Sequence, residues 1–345
     1  MPTALFAWRR TPPPFLIGGA EVTQQLLAEE LAVAGWRVTY LGSHEPPWDG
    51  ATQLPDMRAH LERHRVPYDE ADDTLRYRWS GVECAALTQN NVEHALGSLL
   101  GEIRPDIVFT AQEGSARLAE LAKPTTLVAG LLHSVSATGL GVLAGRPHYG
   151  LAVSKFVRDR APRTPGTRID VVYPPFARPR PATDTERTPA VLMVNPIPAK
   201  GAELLHQLIR LMPEQPFTLV EGWWDTSGDF AAYPNVTYVP RVYDMEPLYR
   251  SHSLLLVPST VEDAFPRVIV EAALHGVPTI GTNRGGIPEA IGHAGIVLPA
   301  TATAGPEAWA RAIRDVDREA LGERAQARAA RFTRPCLPEL RDLGI

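Results

Sequence analysis

Two acidic residues, Asp263 and Glu271, stand seven residues apart in the C-terminal half of the chain. Asp263 follows an apolar run that ends at Ser259, and Glu271 lies within the apolar stretch 268–274, which has the composition of a partly buried helix. A carboxylate in apolar surroundings needs hydrogen-bond donors, and the hydroxyls of a sugar or a ribose would supply them. The alternative is that Glu271 lies on the solvent side of its helix.

Two glycine-containing helix starts could bind phosphate. Gly18-Gly19 precede an amphipathic helix predicted over 20–34, and Lys200-Gly201 precede a second one predicted over 201–212. The unpaired amides of a helix start attract anions, and Lys200 would add a positive charge without a metal ion. The alternative for Gly18-Gly19 is an ordinary glycine-rich helix start that binds no ligand. The alternative for Lys200 is a lysine exposed to solvent.

The elements that would position these residues repeat a pattern of short apolar strand, loop and amphipathic helix. This pattern is typical of parallel βαβ units, so the predicted fold class is α/β with doubly wound parallel sheets. Ligands of such sheets bind at the carboxyl ends of the strands. The predicted strands cover residues 4–8, 37–41, 106–110, 125–129, 149–154, 170–173, 190–195, 217–221, 236–239, 253–258, 278–282 and 296–298.

A segment rich in proline and charge divides the chain. Residues 176–189 show no periodic apolar face, which is typical of a linker. A chain of 345 residues also exceeds the usual size of a single core. We therefore predict an N-terminal domain over 1–175, a linker over 176–189, a C-terminal domain over 190–333, and a tail over 334–345 that could pack back on the N-terminal domain.

Composition excludes several classes of partner. The formal charge of -5 and the dispersed basic residues argue against nucleic-acid binding. No apolar run reaches the ~18 residues of a membrane span, which leaves only peripheral membrane contact open. Cys84 and Cys336 match no zinc or redox spacing, and the N-terminus lacks the apolar stretch of a signal peptide. We expect a cytoplasmic protein without a metal site.

Several short segments, in a fixed order, resemble glycosyltransferase family four. In the C-terminal half they are Lys200-Gly201, Val239-Pro-Arg-Val242, Leu248-Tyr249, Pro258-Ser259, the two acids, Gly276-Val-Pro and Gly285-Gly286-x-x-Glu289. Similar N-terminal segments are Gly18-Gly19-Ala20-Glu21, Leu132-His133 and Ser154-Lys-Phe-Val157. The resemblance implies the GT-B fold, in which two Rossmann-like domains face each other across a cleft, the first binding the acceptor and the second a nucleotide-sugar donor.

The same resemblance implies roles for individual residues. It implies that His133, Lys200 and Asp263 are catalytic. Lys200 would neutralise the leaving diphosphate, and Asp263 would contact the transferred sugar. Glu271 would hold the ribose of the nucleotide. The implied donor-binding set is Gly18, Gly19, Asn195, Lys200, Arg241, Val242, Asp263, Phe265, Arg267, Val268 and Glu271.

Three positions depart from the family pattern. Asn195 stands where the family usually has arginine, Asp263 where it has glutamate, and Pro266 where it has glycine. Asn195 removes one phosphate-binding charge, and Pro266 removes one backbone donor. Arg267 or Arg284 could compensate as a neighbouring cation.

The resulting expectation is a retaining glycosyltransferase that moves a sugar from a nucleotide diphosphate sugar to an acceptor hydroxyl or amine, with no metal and no cofactor. Two alternatives remain at this point: a GT-B-like binding protein without turnover, and a sugar-nucleotide epimerase or phosphorylase on the same fold. A nicotinamide oxidoreductase is disfavoured, because no strand is followed by G-x-G-x-x-G with an acid about 20 residues on.

Overall fold

The computed structural model of the protein describes residues 1–15, 18–45, 47, 50–181, 186–222, 224–300 and 304–345. These residues divide into two units. Unit 1 comprises Met1–Pro175 and Pro335–Ile345, and unit 2 comprises Phe176–Arg334. Within the described ranges, no helix has the length and apolar character needed to cross a membrane.

Before residue 176, the described part of unit 1 forms a nine-stranded sheet and six α-helices. The strands are β1 (Thr3–Ala7), β2 (Arg37–Ser43), β3 (Tyr68–Ala71), β4 (Thr74–Trp79), β5 (Val82–Leu87), β6 (Ile107–Thr110), β7 (Leu127–Leu132), β8 (Tyr149–Ala152) and β9 (Arg168–Val171). The helices are α1 (Gly19–Val33), α2 (Leu54–Arg63), α3 (Val92–Ile103), α4 (Ser115–Ala122), α5 (Ala137–Leu140) and α6 (Lys155–Arg160). The strand order is β3-β4-β5-β2-β1-β6-β7-β8-β9, with β3, β4 and β5 paired antiparallel and the other neighbours parallel.

An aromatic ladder fixes the register at the centre of this sheet. Phe6 on β1 is paired with Tyr40 on β2 and Phe109 on β6, and the ring centroids lie 5.4 and 4.7 Å from that of Phe6. All three side chains are fully buried. Since a slip of one residue would move these rings to the opposite face, their burial holds β1 between its two parallel neighbours.

Two hairpins build the edge of the sheet that the sequence analysis does not predict. β3 and β4 are joined by Asp72-Asp73, and β4 and β5 by Ser80-Gly81, with positive φ at all four positions. Two positive φ angles in a two-residue loop are typical of the type I′ hairpin turn. Residues 68–87 therefore add two antiparallel pairs to a sheet that is otherwise parallel.

The residues of unit 2 that the structure describes form a fully parallel sheet of six strands. The strands are β10 (Thr188–Val194), β11 (Phe217–Val220), β12 (Val236–Val239), β13 (His252–Val257), β14 (Thr279–Thr282) and β15 (Gly295–Leu298), in the order β12-β11-β10-β13-β14-β15. The helices are α7 (Ala202–Leu211), α8 (Ser227–Phe230), α9 (Glu246–Ser251), α10 (Arg267–Leu274), α11 (Ile287–Ile291), α12 (Pro306–Asp315) and α13 (Arg318–Ala329). Trp309 on α12 is fully buried in the same apolar core as Leu205 and Leu208 of α7.

The C-terminal helical stretch is broken where the sequence pattern predicts one helix over 306–332. Val316 is extended, and the Asp317 carboxylate accepts a hydrogen bond of 3.0 Å from the amide of Ala320. Asp317 thus caps a new helix, which is the local competition expected of aspartate within a helical run.

The last residues of the chain belong to unit 1. Helix α14 (Leu337–Asp342) places Leu337 and Leu340 in the same apolar core as Phe6 and Tyr40. The Glu30 carboxylate of α1 accepts a hydrogen bond of 2.7 Å from the amide of Leu337. Residues 335–345 are therefore an integral part of the unit 1 core.

Acid is expected to destabilise unit 2 through His252. The residue is 4% exposed, and its ring donates from Nδ1 to the Leu248 carbonyl at 2.7 Å and accepts at Nε2 from the Thr218 hydroxyl at 2.8 Å. Burial lowers the pKa of His252 below its ordinary value of 6.5, against a smaller opposing effect of the Leu248 hydrogen bond. The unfolded chain therefore binds more protons than the folded chain, so stability is lost as the pH falls below about 6.5.

Urea unfolding of the wild type and His252→Gln between pH 8 and pH 5 measures this effect. The variant should show the smaller loss of stability toward acid. Burial also lowers the pKa of His206 and His275, so the difference between the two proteins is the informative quantity. Equal pH dependence in both proteins would contradict the assignment to His252.

Candidate functional site

The strand order of unit 2 creates a crevice between β10 and β13. After β10 the chain continues to β11 on one side, whereas β13 continues to β14 on the other. The loops that follow β10 and β13 therefore leave in opposite directions, which is the usual ligand position in an open α/β sheet. Lys200 lies in the first loop and Asp263 in the second.

Backbone contacts hold these two loops together. Gly201 has a φ of +94°, and a β-carbon there would lie 2.3 Å from the carbonyl oxygen of Pro258. The amide of Thr260 donates to the carbonyl of Ala199 at 3.1 Å. The close approach requires glycine at position 201, because any side chain would push the loops apart.

Lys200 and Asp263 form an ion pair at this point. The Lys200 ammonium contacts Oδ1 of Asp263, and the Ser259 hydroxyl donates to Oδ2 at 2.6 Å. Both charged side chains are partly accessible, with 23% and 16% of their surface exposed. The pair combines a cation for an anionic ligand with an acceptor for hydroxyl groups.

The loop after β14 completes the support of Asp263. The Gly286 amide donates to the Asp263 carbonyl at 2.6 Å, and Gly285 has a φ of +56°. A β-carbon at Gly285 would lie 2.3 Å from the same carbonyl oxygen. The loops after β10, β13 and β14 thus meet at Asp263, the first through its carboxylate and the last through its backbone carbonyl.

Glu271 is held by two buried donors. The Tyr249 hydroxyl donates to Oε2 at 3.0 Å, and Nε of Arg267 donates to Oε1 at 3.1 Å. Burial, together with the charge of Glu271 and its hydrogen bond, raises the pKa of Tyr249 well above its ordinary value. Burial also lowers the pKa of Arg267, which Glu271 partly offsets. The Glu271 side chain itself remains 28% exposed.

Three residues of the predicted donor-binding set, Asn195, Arg241 and Val242, form a second group after the ends of β10 and β12. Arg241 donates from Nε to the Gly222 carbonyl at 2.7 Å and lies 3.3 Å from the Glu221 carboxylate. A β-carbon at Gly222 would lie 2.2 Å from Cγ of Asn195. Asn195 therefore bends toward β11, and Val242 is exposed.

Asn195 leaves one polar atom unused. The residue adopts a positive φ of 59°, and its Oδ1 atom is buried with no hydrogen-bond partner among the described residues. A buried acceptor without a partner costs free energy of folding. Asparagine at this position also supplies no positive charge, in contrast to the arginine of the family pattern.

The start of α10 contains the remaining predicted donor-binding residues. Phe265 is buried, and its ring packs edge-on against Phe332 with centroids 5.5 Å apart. Arg267 and Val268 form the first turn of α10, where helix amides lack intrahelical partners. Arg267 is only 8% exposed and its guanidinium lies 4.2 Å from the Phe176 ring centroid, so it is placed to pair with Glu271.

Unit 1 has its own switch point, between β1 and β6. Gly18 and Gly19 lie at the start of α1, as the sequence predicts, but the Glu21 carboxylate folds back over Gly18 and pairs with Arg10. Arg10 also donates to Glu113 at 2.9 and 2.7 Å. Burial opposes the charge of Arg10, but hydrogen bonds and charge from Glu113 and Glu21 raise its pKa above the ordinary value.

His133 directly follows β7 and is partly buried. Its role toward a donor or acceptor, like those of Gly18 and Gly19, stays a prediction. Among the described residues, no three His, Cys, Asp or Glu side chains are grouped to bind a metal ion, and metal independence also stays a prediction. From the sequence, the rings of Trp48 and Trp223 could stack on a sugar or pack in the core; both residues lie outside the described ranges.

Among the residues at these sites that have no role in the sequence analysis are Tyr249, Ser259, Arg10 and Glu113. Tyr249 and Ser259 occur there only within matching segments. Arg10 lies three residues after the end of β1, and a charged residue close behind a buried strand is the signal that could have identified it.

Comparison with known proteins matches the C-terminal half to a family. Residues 189–317 match the family model described as Glycosyl transferases group 1, and this range contains Lys200, Arg241, Asp263 and Glu271. No curated protein matches the chain significantly.

Solved structures match both units together. Sucrose-phosphate synthase from Thermosynechococcus elongatus is 18% identical with a TM-score of 0.76, covering 99% of this chain and 97% of the other. HepE from Anabaena, in complex with UDP-glucose, is 18% identical with a TM-score of 0.68, covering 99% of both chains. The pneumococcal O-GlcNAc transferase GtfA, in complex with UDP and GlcNAc, is 10% identical with a TM-score of 0.69, covering 99% and 98%.

At these identities the structures establish the fold, and the predicted α/β architecture of two Rossmann-like parallel-sheet domains is confirmed. The family match adds the enzyme class. Residues 189–317 match the glycosyl transferases group 1 model and the chain has the GT-B fold, which together confirm the prediction of a glycosyltransferase.

Proposed function

We propose that the protein is a retaining, metal-independent member of glycosyltransferase family four, which transfers a sugar from a nucleotide diphosphate sugar to an acceptor hydroxyl or amine. The observation that carries this proposal is the meeting of Lys200 and Asp263 at the β10–β13 switch point. Glu271, on the following helix α10, is held by two hydrogen-bond donors. The two free, buried cysteines fit a reducing cytoplasm.

In this reaction the Lys200 ammonium would stabilise the leaving diphosphate. Negative charge grows on the phosphate oxygen as its bond to the anomeric carbon breaks, and a fixed cation opposes that charge more strongly in the transition state than before it. The diphosphate must share Lys200 with Asp263, whose carboxylate is then available to the hydroxyls of the sugar.

Bond formation would follow on the same face of the sugar. The acceptor oxygen or nitrogen forms its bond to the anomeric carbon as the diphosphate departs, and the departing phosphate oxygen takes the acceptor proton. This route needs no separate base and yields retention. Glu271 would bind the ribose hydroxyls, and Arg241 with Val242 would lie beside the base.

Donor binding tests the proposal first. Thermal unfolding should be recorded with a panel of nucleotide diphosphate sugars, with and without EDTA, starting with UDP-glucose because HepE binds it. A donor at about 100 times its dissociation constant should stabilise the protein by roughly 2.7 kcal/mol, a rise of a few degrees in Tm. EDTA should leave this rise unchanged.

Turnover separates the remaining alternatives. A glycosyltransferase should slowly release the nucleoside diphosphate from the stabilising donor even without acceptor, whereas a binding protein would release none. An epimerase would change the sugar on the nucleotide, and a phosphorylase would form a sugar phosphate. Stabilisation by no sugar nucleotide, or turnover that requires a divalent ion, would refute the proposal.

A further inference from the structure

The Glu271 carboxylate is bound on one side and open on the other. Each oxygen of an ionised carboxylate has two lone-pair positions. Arg267 occupies one position on Oε1 and Tyr249 one on Oε2, and both donors are almost fully buried. With 28% of the side chain accessible, one position on each oxygen is left for a pair of neighbouring hydroxyls.

Arg267 is suited to holding Glu271 rather than phosphate. Its side chain is 8% accessible, its guanidinium lies over the Phe176 ring, and its charge is matched by Glu271 four residues along the helix. A diphosphate would need that cation at an accessible surface, as Lys200 provides.

The proline-rich segment fixes both donors. Phe176 lies beneath Arg267 on α10. Four residues later, Arg180 bonds to α9: its amide donates to Glu246 at 3.0 Å, and its guanidinium lies 2.8 Å from Asp244 and from Glu246. The segment therefore bridges the helix of Tyr249 and the helix of Arg267.

We propose that Tyr249 and Arg267 are positioning residues, which orient the Glu271 carboxylate so that both of its oxygens accept from the two hydroxyls of the donor's ribose. Phe176 and Arg180 support this arrangement from the adjoining segment. The inference rests on the proposed function, since it assumes that the ligand is a ribonucleotide. In this arrangement Tyr249 and Arg267 do not touch the ligand, and both act through Glu271.

Titration calorimetry with nucleoside diphosphates tests this arrangement. The ligands are the ribonucleoside diphosphate of the best donor and its 2′-deoxy and 3′-deoxy analogues. The wild type should bind each deoxy analogue roughly ten- to a hundredfold more weakly, because hydrogen bonds to a charged group contribute about 1.5–3 kcal/mol. Tyr249→Phe should bind the ribonucleotide about tenfold more weakly than the wild type and bind the deoxy analogues almost as the wild type does.

A matched control separates positioning from general stability. The Tyr233 hydroxyl is also bonded in unit 2, to His206 at 3.1 Å and Arg210 at 2.8 Å, away from Glu271. Tyr233→Phe should lower Tm without changing the ratio of ribo to deoxy affinities. Arg267→Lys, which keeps a charge near Oε1, should lose less discrimination than Glu271→Gln.

The outcomes distinguish this inference from the proposed function. If no nucleoside diphosphate binds the wild type, the proposed function fails and this inference fails with it. If the wild type binds but does not discriminate against deoxy analogues, or if Tyr249→Phe discriminates as strongly as the wild type, the positioning role is wrong while donor binding stands.

Discussion

Replacing Lys200 by alanine is expected to lower kcat/KM for the donor by about 10²–10³-fold, the usual cost of losing one preorganised group that stabilises transition-state charge. Lys200 is the cation of the β10–β13 switch point, and Gly201 holds its loop within contact of the β13 loop. Because Arg267 is engaged with Glu271, it is poorly placed to replace the lost charge. Steady-state kinetics with a saturating acceptor would measure the effect.

Two control variants accompany this measurement. Lys200→Arg keeps the charge and should recover part of the activity, whereas Lys123→Ala removes a half-buried lysine of unit 1, whose ammonium donates to the Arg146 carbonyl, and should leave the donor kinetics unchanged. The Lys200–Asp263 pair is partly accessible, so the alanine variant should lose only about 1 kcal/mol of stability. If a folded Lys200→Ala protein keeps the kcat/KM of the wild type, the diphosphate does not bind at Lys200.

Replacing Gly201 by alanine is expected to destabilise unit 2 by more than about 3 kcal/mol. Two costs combine: an L-residue at a φ of +94° costs about 1–2 kcal/mol, and the new methyl group lies 2.3 Å from the Pro258 carbonyl oxygen, which is backbone and must move. The same movement would separate Lys200 from Asp263, so activity should fall further than stability alone explains. Urea unfolding and donor kinetics on one preparation measure both effects.

Gly276→Ala is the matched control for that experiment. Gly276 also has a positive φ, of 68°, but the nearest atom to its new methyl group is a side-chain nitrogen of Arg187 at 3.4 Å. Only the backbone strain should remain, about 1–2 kcal/mol, with donor kinetics near those of the wild type. Similar losses in the two variants would mean that the loops after β10 and β13 are not held in contact by Gly201.

The parallel strands could be predicted because each is an apolar run followed by a loop and a helix. Residues 191–194 of β10 and 217–220 of β11 are of this kind, and both strands are buried where the sequence predicts them. The antiparallel edge could not be predicted in the same way. β3 reads Tyr-Asp-Glu-Ala and is mostly exposed, so it has no apolar period, and its stability comes from pairing with β4. The turns Asp72-Asp73 and Ser80-Gly81 were the available signals.

The candidate site was predictable in part for a related reason. Lys200 and Asp263 each follow a predicted strand, and the rule for strand ends places them at the same edge of a parallel sheet. The partners of Glu271 follow no such rule. Tyr249 reaches Glu271 only because α9 packs against α10, and Arg10 meets Glu113 across 103 residues of sequence. Such contacts depend on tertiary packing, which periodicity and spacing do not encode.

The return of residues 335–345 to unit 1 has a consequence for synthesis on the ribosome. Leu337 and Leu340 belong to the same apolar core as β1 and β2. All of unit 2 is translated after the N-terminal part of unit 1 and before these two leucines. At about 5–20 residues per second, a nascent unit 1 would wait roughly ten to thirty seconds with the α14 position uncovered. Unit 2, whose residues are contiguous, can complete its core first, so the N-terminal half of this chain is expected to be the later of the two to finish folding.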